Sequence, residues 1–401
     1  MNIEDNKIHN VLISGIACSG KTVLASRLAI ETYKNAYYVN PNTGKKSHKR
    51  IFVLDPKGEW RRMASLVEKG KFKFYSIGNP NFHSLKMNLL RVPVGIKAHN
   101  YYDMIVEYLC SAYGLSDRAI PQISSIIYDL YNENGVFENL TDPNWANEHS
   151  KNITLADAYN KIKIKIQDAE ARGNQHDVEI WQICLTRLEA YNSKRCKENV
   201  MFYDKNGMSI DMILDDDDFT VIESCGLACS AQRFFFSLFV NSVYGCARAQ
   251  GPRGFHENSY ETIIIADSED ILGQQSFGRF NEIMDKSASL GLFIWNITQK
   301  ISSISRTVIA NSNLVFVGRT PLEQDIKVVH SILGLDSTSV DSKCEKIIPQ
   351  LPIGEFLVKA PNCESFEKQS PIYIKFDMLE NNIPDNKELE NLIQQHKLHK
   401  D

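Results

Sequence analysis

The run Gly15-Ile16-Ala17-Cys18-Ser19-Gly20-Lys21-Thr22 sets two glycines, a lysine and a hydroxyl at a spacing suited to phosphate chemistry. Gly15 and Gly20 let the backbone turn tightly enough to aim consecutive N–H groups at an anion. Lys21 then offers a point charge to β- and γ-phosphates, and the Thr22 hydroxyl can ligate Mg2+ beside the positive end of a helix. Gly15, Ala17, Cys18, Ser19, Gly20, Lys21, Thr22 and Val23 form the expected nucleotide-binding segment. Two further groups of charged residues stand directly after apolar runs: Asp55-Pro56-Lys57-Gly58-Glu59 and Asp267-Ser268-Glu269. A side chain there lies at the carboxyl edge of a parallel sheet, where ligands bind in open α/β folds. Asp55, Lys57 and Glu59 are therefore candidate site residues, although Pro56 and Gly58 equally suit a turn before a helix.

The elements that must position these residues follow from periodicity. Val11-Leu12-Ile13 reads as a strand and Val23 to Ile30 as a helix, which makes the first motif the strand, loop and helix of a P-loop. Near-continuous apolar runs recur at Ile51 to Leu54, Phe219 to Glu223, Thr262 to Ala266, Leu290 to Thr298 and Leu314 to Val317, with shorter ones at Gly354 to Lys359 and Ile372 to Phe376. Such strands alternating with helices predict an α/β fold, a mostly parallel sheet flanked by helices on both faces. Gln232 to Arg248 reads as a very apolar packed helix.

Between these strands, Lys97 to Tyr113, Ala119 to Tyr131, Thr154 to Arg172 and Asp177 to Lys194 carry apolar residues at helical spacing, and Thr154 with Asp157 fits a capping box. The expected organisation is a core of residues 1–79 and 202–383, an all-helical insertion at 80–201, and a polar tail at 384–401 that forms an exposed helix or frays. The acidic run Asp215 to Asp218 is expected to be a solvated turn rather than a metal site.

A chain of 401 residues that is 43% hydrophobic can bury a large core. Its net charge of −4 argues against a globally basic nucleic-acid coat, yet a ring can confine positive charge to its pore. Nine cysteines without zinc-type pairing suit a reducing cytosol, and no apolar run reaches the ~20 residues that cross a bilayer. A cytoplasmic protein without membrane insertion is expected.

The order of motifs resembles the HerA/FtsK superfamily of ATPases, and within it HerA-type DNA translocases and the related type IV secretion ATPases. The resemblance rests on the P-loop, Asp55 to Glu59, an acidic strand end, a strand ending in Thr298-Gln299, Asn311-Ser312-Asn313 to Arg319, and Leu351-Pro352-Ile353-Gly354-Glu355-Phe356. It spans residues 10–80 and 215–360. It implies a RecA-like core, ATP and Mg2+, a homo-oligomeric ring (usually a hexamer), double-stranded DNA in the pore, and a nuclease or other effector as partner. By the same resemblance Lys21 and Thr22 hold phosphate and metal, Gln299 is the sensor of γ-phosphate, and Arg319, or else Arg306, is the arginine finger, whose fixed charge stabilises phosphoryl transfer.

The chain departs from the family in two ways. Members end the fourth strand in Asp-Glu, whereas here the residues are Ala266-Asp267-Ser268-Glu269. Asp267 is the candidate metal ligand; the carboxylate that activates water is Asp267 in a shifted register, Glu269 through a bulge, or Glu59. Losing a general base costs about 10²–10⁴-fold in rate, so hydrolysis is expected to be weak. Second, HerA-type proteins carry a β-barrel before the P-loop, and only Met1 to Asn10 precede the first strand. The leading expectation is an ATP-driven DNA translocase, in anti-phage defence or DNA processing. The alternatives are an ATP-binding assembly module that organises a partner enzyme, and a conjugation, secretion or packaging ATPase. Candidate DNA-contacting charges lie in the loops Lys45 to Arg50, Arg248 to Arg253 and Lys300 to Arg306.

Overall fold

The computed structural model describes residues 10–35, 37–39, 46–79, 81–94, 96–112, 115, 118–139, 141–142, 144–192, 206–214, 218–250, 261–268, 280–334, 346–360, 372–376 and 382–399. Two compact units divide the chain: Met1–Phe74 with Asp217–Glu223 and Pro252–Asp401, and Tyr75–Asp216 with Ser224–Gly251.

The first unit is built on the sheet. Its strands are Val11–Ser14 (β1), Arg50–Asp55 (β4), Phe72–Ser76 (β5, running into the second unit), Phe219–Glu223 (β6), Glu261–Ile265 (β7), Leu292–Thr298 (β8), Leu314–Val317 (β9), Glu355–Lys359 (β10) and Ile372–Lys375 (β11). Tyr37–Val39 (β2) and Lys46–His48 (β3) pair separately as an antiparallel ribbon. The nine-stranded sheet runs in the order β11-β10-β9-β1-β8-β7-β4-β6-β5. Pairs β9–β1, β1–β8, β8–β7, β7–β4 and β4–β6 are parallel, while β10 is antiparallel to both its neighbours. The expected α/β architecture is therefore present, with its carboxyl strand ends on one edge. Residues Ile51–Leu54, Ile263–Ile265 and Leu292–Ile297 are buried throughout, as strands covered on both faces require.

Three parts of this unit differ from expectation, the last only in that its helix is buried on one face. Strand β3 of the β2–β3 ribbon falls within the predicted loop Lys45 to Arg50, and Lys45 lies outside the described residues. Strand β5 was missed because Phe72 and Phe74 are buried while Lys73 and Tyr75 between them are only partly so, the alternation of an edge strand rather than an apolar run. In the tail, Asn386–Leu398 is a helix opened by an Asp385–Glu388 capping box, and one face of it is buried through Leu389, Ile393 and His396. His396 Nδ1 accepts from the Gly70 N–H at 3.0 Å and Nε2 donates to the Ala64 carbonyl at 2.8 Å, which defines the neutral tautomer.

The second unit is helical, as the spacing predicts: Ala98–Ala112, Ile120–Glu133, Leu155–Ala171, Gln175–Asn192 and Cys229–Gln250. The Thr154–Asp157 capping box is formed, with the Thr154 N–H donating to Asp157 Oδ2 at 2.8 Å. Phe234, Phe235, Phe236 and Phe239 of the last helix are buried. The expected solvated acidic turn is only partly described: residues 215–217 are outside it, and Asp218 is 2% exposed with Lys73 Nζ 3.5 Å from its Oδ2.

Candidate functional site

Strand β1 delivers the glycine loop to the carboxyl edge. Gly15 (φ 147°) and Gly20 (φ 97°) take backbone conformations that side chains rarely allow. The space is tight as well. A Cβ on Gly15 would lie 2.9 Å from Ser19 Oγ, and one on Gly20 would lie 3.2 Å from the Gly354 nitrogen. The second approach is fixed by the Gly354 N–H, which donates to the Ser19 carbonyl at 3.0 Å. Cys18 is left-handed too, at φ 60°. The N–H groups of Ala17, Cys18, Gly20 and Thr22 have no hydrogen-bond partner among the described residues, so they remain to bind an anion at the start of helix Lys21–Asn35 (α1). Lys21, 6% exposed, folds back so that Nζ donates to the Ile16 carbonyl at 2.8 Å, and Val23 continues the first helical turn.

Strand β4 delivers the second group. Asp55 is 1% exposed, and its carboxylate organises the turn that follows: Oδ1 accepts from the N–H groups of Lys57 (3.0 Å) and Gly58 (2.9 Å), and Oδ2 from that of Trp60 (2.8 Å). Burial pushes the Asp55 carboxyl up to about 6, against the opposing pull of those N–H groups. Asp55 is thus the turn-former that Pro56 and Gly58 suggested, whereas Lys57 and Glu59 are aimed into the site by that turn. Lys57 Nζ donates to Asp267 Oδ1 at 2.8 Å, and Glu59 Oε2 accepts from Thr22 Oγ1 at 2.7 Å.

Strands β7 and β8 complete the cluster. Asp267 follows β7 in the left-handed region, at φ 53°, and its Oδ1 also accepts from Gln299 Nε2 at 3.0 Å. Three of the residues singled out in the sequence, Lys57, Asp267 and Gln299, therefore meet on one carboxylate oxygen. Ser268, the next residue, is fully buried, and its hydroxyl has no hydrogen-bond partner among the described residues. Glu269 lies outside the described residues.

Arg319 lies on the other side of β1, after β9. Its carbonyl accepts from the Ile16 N–H at 2.9 Å, and its Nε donates to the Leu351 carbonyl at 2.7 Å. Arg306, itself exposed, opens the short helix Arg306–Asn311, in which Val308 is buried. Arg253 and its neighbours from residue 251 onward are outside the described residues, and Lys300 is exposed beside a short turn, Ile301–Ser303. Sequence reasoning missed a further ion pair at this edge: the Arg61 guanidinium grips Glu223 through Nε–Oε2 (2.5 Å) and Nη2–Oε1 (2.6 Å), and its Nη1 donates to Asn386 Oδ1 at 2.7 Å. The only available signal was that Glu223 ends an apolar strand.

The donor set fits a magnesium nucleotide. Mg2+ takes one or two protein oxygens together with phosphate oxygens and water, and Thr22 Oγ1 and the Asp267 carboxylate are of that kind. Among the described residues no cluster of three or more His, Cys, Asp or Glu side chains could hold a metal by itself, and no helix is long and apolar enough to cross a membrane.

No protein-family model matches the chain, and no curated protein matches its sequence. Solved structures do. VirB4 of Thermoanaerobacter pseudethanolicus superposes with a TM-score of 0.64 at 15% identity, over 95% of this chain and 92% of that one. The unbound bacterial conjugative coupling protein TrwB, lacking its first 70 residues, gives 0.59 at 16% identity, over 96% and 89%. The plasmid coupling protein TrwB in complex with ADP and Mg2+ gives 0.60 at 14% identity, over 96% and 89%. At such identities the likeness shows the fold, which is that of a RecA-like P-loop NTPase.

Proposed function

We propose that the chain is a Mg-ATP-hydrolysing motor acting on DNA, of the conjugation-coupling or secretion type rather than specifically a HerA-type translocase. The observation that carries this reading is the alignment, on one sheet edge, of a glycine-built loop and the helix start bearing Lys21 and Thr22, with Asp267 and Gln299 beside them. The likeness to coupling proteins along nearly their whole length supports it, because a metabolic kinase would share only the P-loop. Lys21 holds the β- and γ-phosphates, Thr22 and Asp267 hold the metal, and Gln299 reports on the γ-phosphate through its bond to Asp267. Mg2+, when bound, neutralises charge that develops on the phosphate oxygens. Arg319 reaches a neighbouring subunit's nucleotide in a homo-oligomer, expected to be a hexamer, and duplex DNA occupies its pore.

One observation favours a second reading, that of an ATP-binding assembly module organising an effector. The residue after Asp267 is a buried serine that cannot take a proton from water. Steady-state ATPase activity with and without duplex DNA, beside Lys21→Ala and native mass determination, separates the two. DNA-stimulated turnover that Lys21→Ala abolishes supports the motor. Nucleotide binding and ring formation with turnover at the Lys21→Ala level would reject it in favour of the assembly module.

A further inference from the structure

Resting on the ATPase reading above, we infer that Glu59, carried on the turn after β4, is the carboxylate that activates the attacking water. Among the described residues at the end of β7, Asp267 and Ser268 do not supply it. The described carboxylates along this edge are Asp55, Glu59, Glu223 and Asp267, and the structure gives three of them other work. Asp55 spends both oxygens on three backbone N–H groups and is almost fully buried. Glu223 is bound at both oxygens by the Arg61 guanidinium. Asp267 Oδ1 is already occupied by Lys57 Nζ and Gln299 Nε2, an arrangement that suits a metal ligand or sensor.

Glu59 differs from all three. Among the described residues it is the carboxylate in hydrogen-bond contact with the phosphate-binding segment, through Thr22 Oγ1 at 2.7 Å. Its second oxygen, Oε1, has no hydrogen-bond partner among them. The side chain is half-buried, and its backbone is locked by the Asp55 turn on one side and by Arg62 Nε, which donates to the Glu59 carbonyl at 3.0 Å, on the other. A positioned, half-desolvated carboxylate with one open oxygen beside the helix start is what a general base needs.

The step balances without further reactants. The water oxygen bonds to the γ-phosphorus as the bond from that phosphorus to the bridging oxygen breaks, and the bridging electron pair leaves with ADP. One water proton passes to Glu59 Oε1 and from there to the released phosphate or to solvent.

The test uses the full chain, with Glu59→Gln as the main variant, because glutamine keeps the size and can still accept from Thr22. Equilibrium ATP binding, the thermal midpoint, turnover, and the identity of the nucleotide extracted after incubation with ATP are measured together. The expected result is turnover reduced at least about 100-fold, with affinity within about threefold of wild type and ATP rather than ADP recovered from the protein. Glu59→Asp, which retracts the carboxylate by one methylene, should lower kcat with little change in KM and recover part of what Glu59→Gln loses. Turnover of Glu59→Gln within about threefold of wild type would overturn the assignment while leaving the ATPase reading intact. Should Glu59→Gln unfold, Glu59→Asp with unchanged kcat would overturn it equally. Wild-type turnover no higher than that of Lys21→Ala would instead reject the ATPase reading, and this assignment with it.

Discussion

The glycine loop after β1 and the turn after β4 face the same sheet edge, and they are built by opposite means. The loop is made of backbone. Its glycines take conformations that other residues rarely adopt, its N–H groups are the binding surface in the reading proposed, and the side chains of Ala17 and Cys18 are exposed. The turn is made by one buried side chain, since Asp55 gathers three N–H groups and so aims Lys57 at Asp267 and Glu59 at Thr22. A backbone-made site should be indifferent to pH and intolerant of a methyl group. A side-chain-made one should titrate.

The largest expected effect comes from that titration. Burial holds Asp55 at about 6 instead of 3.8, so the folded protein keeps a proton there that the unfolded chain has released. The stability this lends is complete below 3.8 and is lost as pH rises through about 6. Measured against Asp55→Asn by denaturant unfolding, wild type should therefore gain up to about 3 kcal/mol as pH falls through that window, with no change in the difference at and above neutral pH. A difference that stays constant across the window would mean that Asp55 is not the titrating centre of the turn. Next in size is Gly20→Ala. Its left-handed backbone and the 3.2 Å approach to Gly354 should together cost about 2 kcal/mol, read as a lower thermal midpoint or about 30-fold weaker nucleotide binding. Equal performance of the variant would break the claim that the loop is backbone-made.

The same contrast decides what the sequence let one read. The P-loop's shape was legible because it is written in residue types at fixed spacing: Gly15 and Gly20 take the positive φ that their type allows, and Lys21 and Thr22 open the helix that follows. The parallel strands were legible because burial on both faces forces continuous apolar runs. Strand β5 and the buried face of the tail helix were not, since an edge strand and an amphipathic helix bury one side only and read as polar. Within the site, Asp267 and Gln299 could be placed on adjacent strands, but their shared bond to Lys57 depends on how Asp55 folds the intervening turn. The Arg61–Glu223 pair joins residues far apart in sequence, with no local pattern to announce it. The choice among carboxylates stayed open in the sequence for the same reason: which of them touches Thr22 is a property of the turn, and Ser268 alone marked the gap.

The smallest expected effect probes the join between the two regions, Lys57 on Asp267. Lys57 is 47% exposed at its side chain and Asp267 12%, so the pair is partly screened and worth at most about 1 kcal/mol. If Asp267 binds the metal, the ammonium competes with it for one carboxylate that Gln299 also holds. Lys57→Met keeps the length and the apolar stem, removes the charge, and leaves Asp267 bonded to Gln299. If Asp267 is the metal ligand, the Mg2+ concentration that half-saturates nucleotide binding should fall about fivefold in the variant, as the loss of such a pair would allow. An unchanged Mg2+ requirement would remove Asp267 from the metal site and leave Thr22 as its protein ligand. In that case the turn after β4 meets Asp267 only as a partner of Gln299, and among the described residues Glu59 is its contact with Thr22.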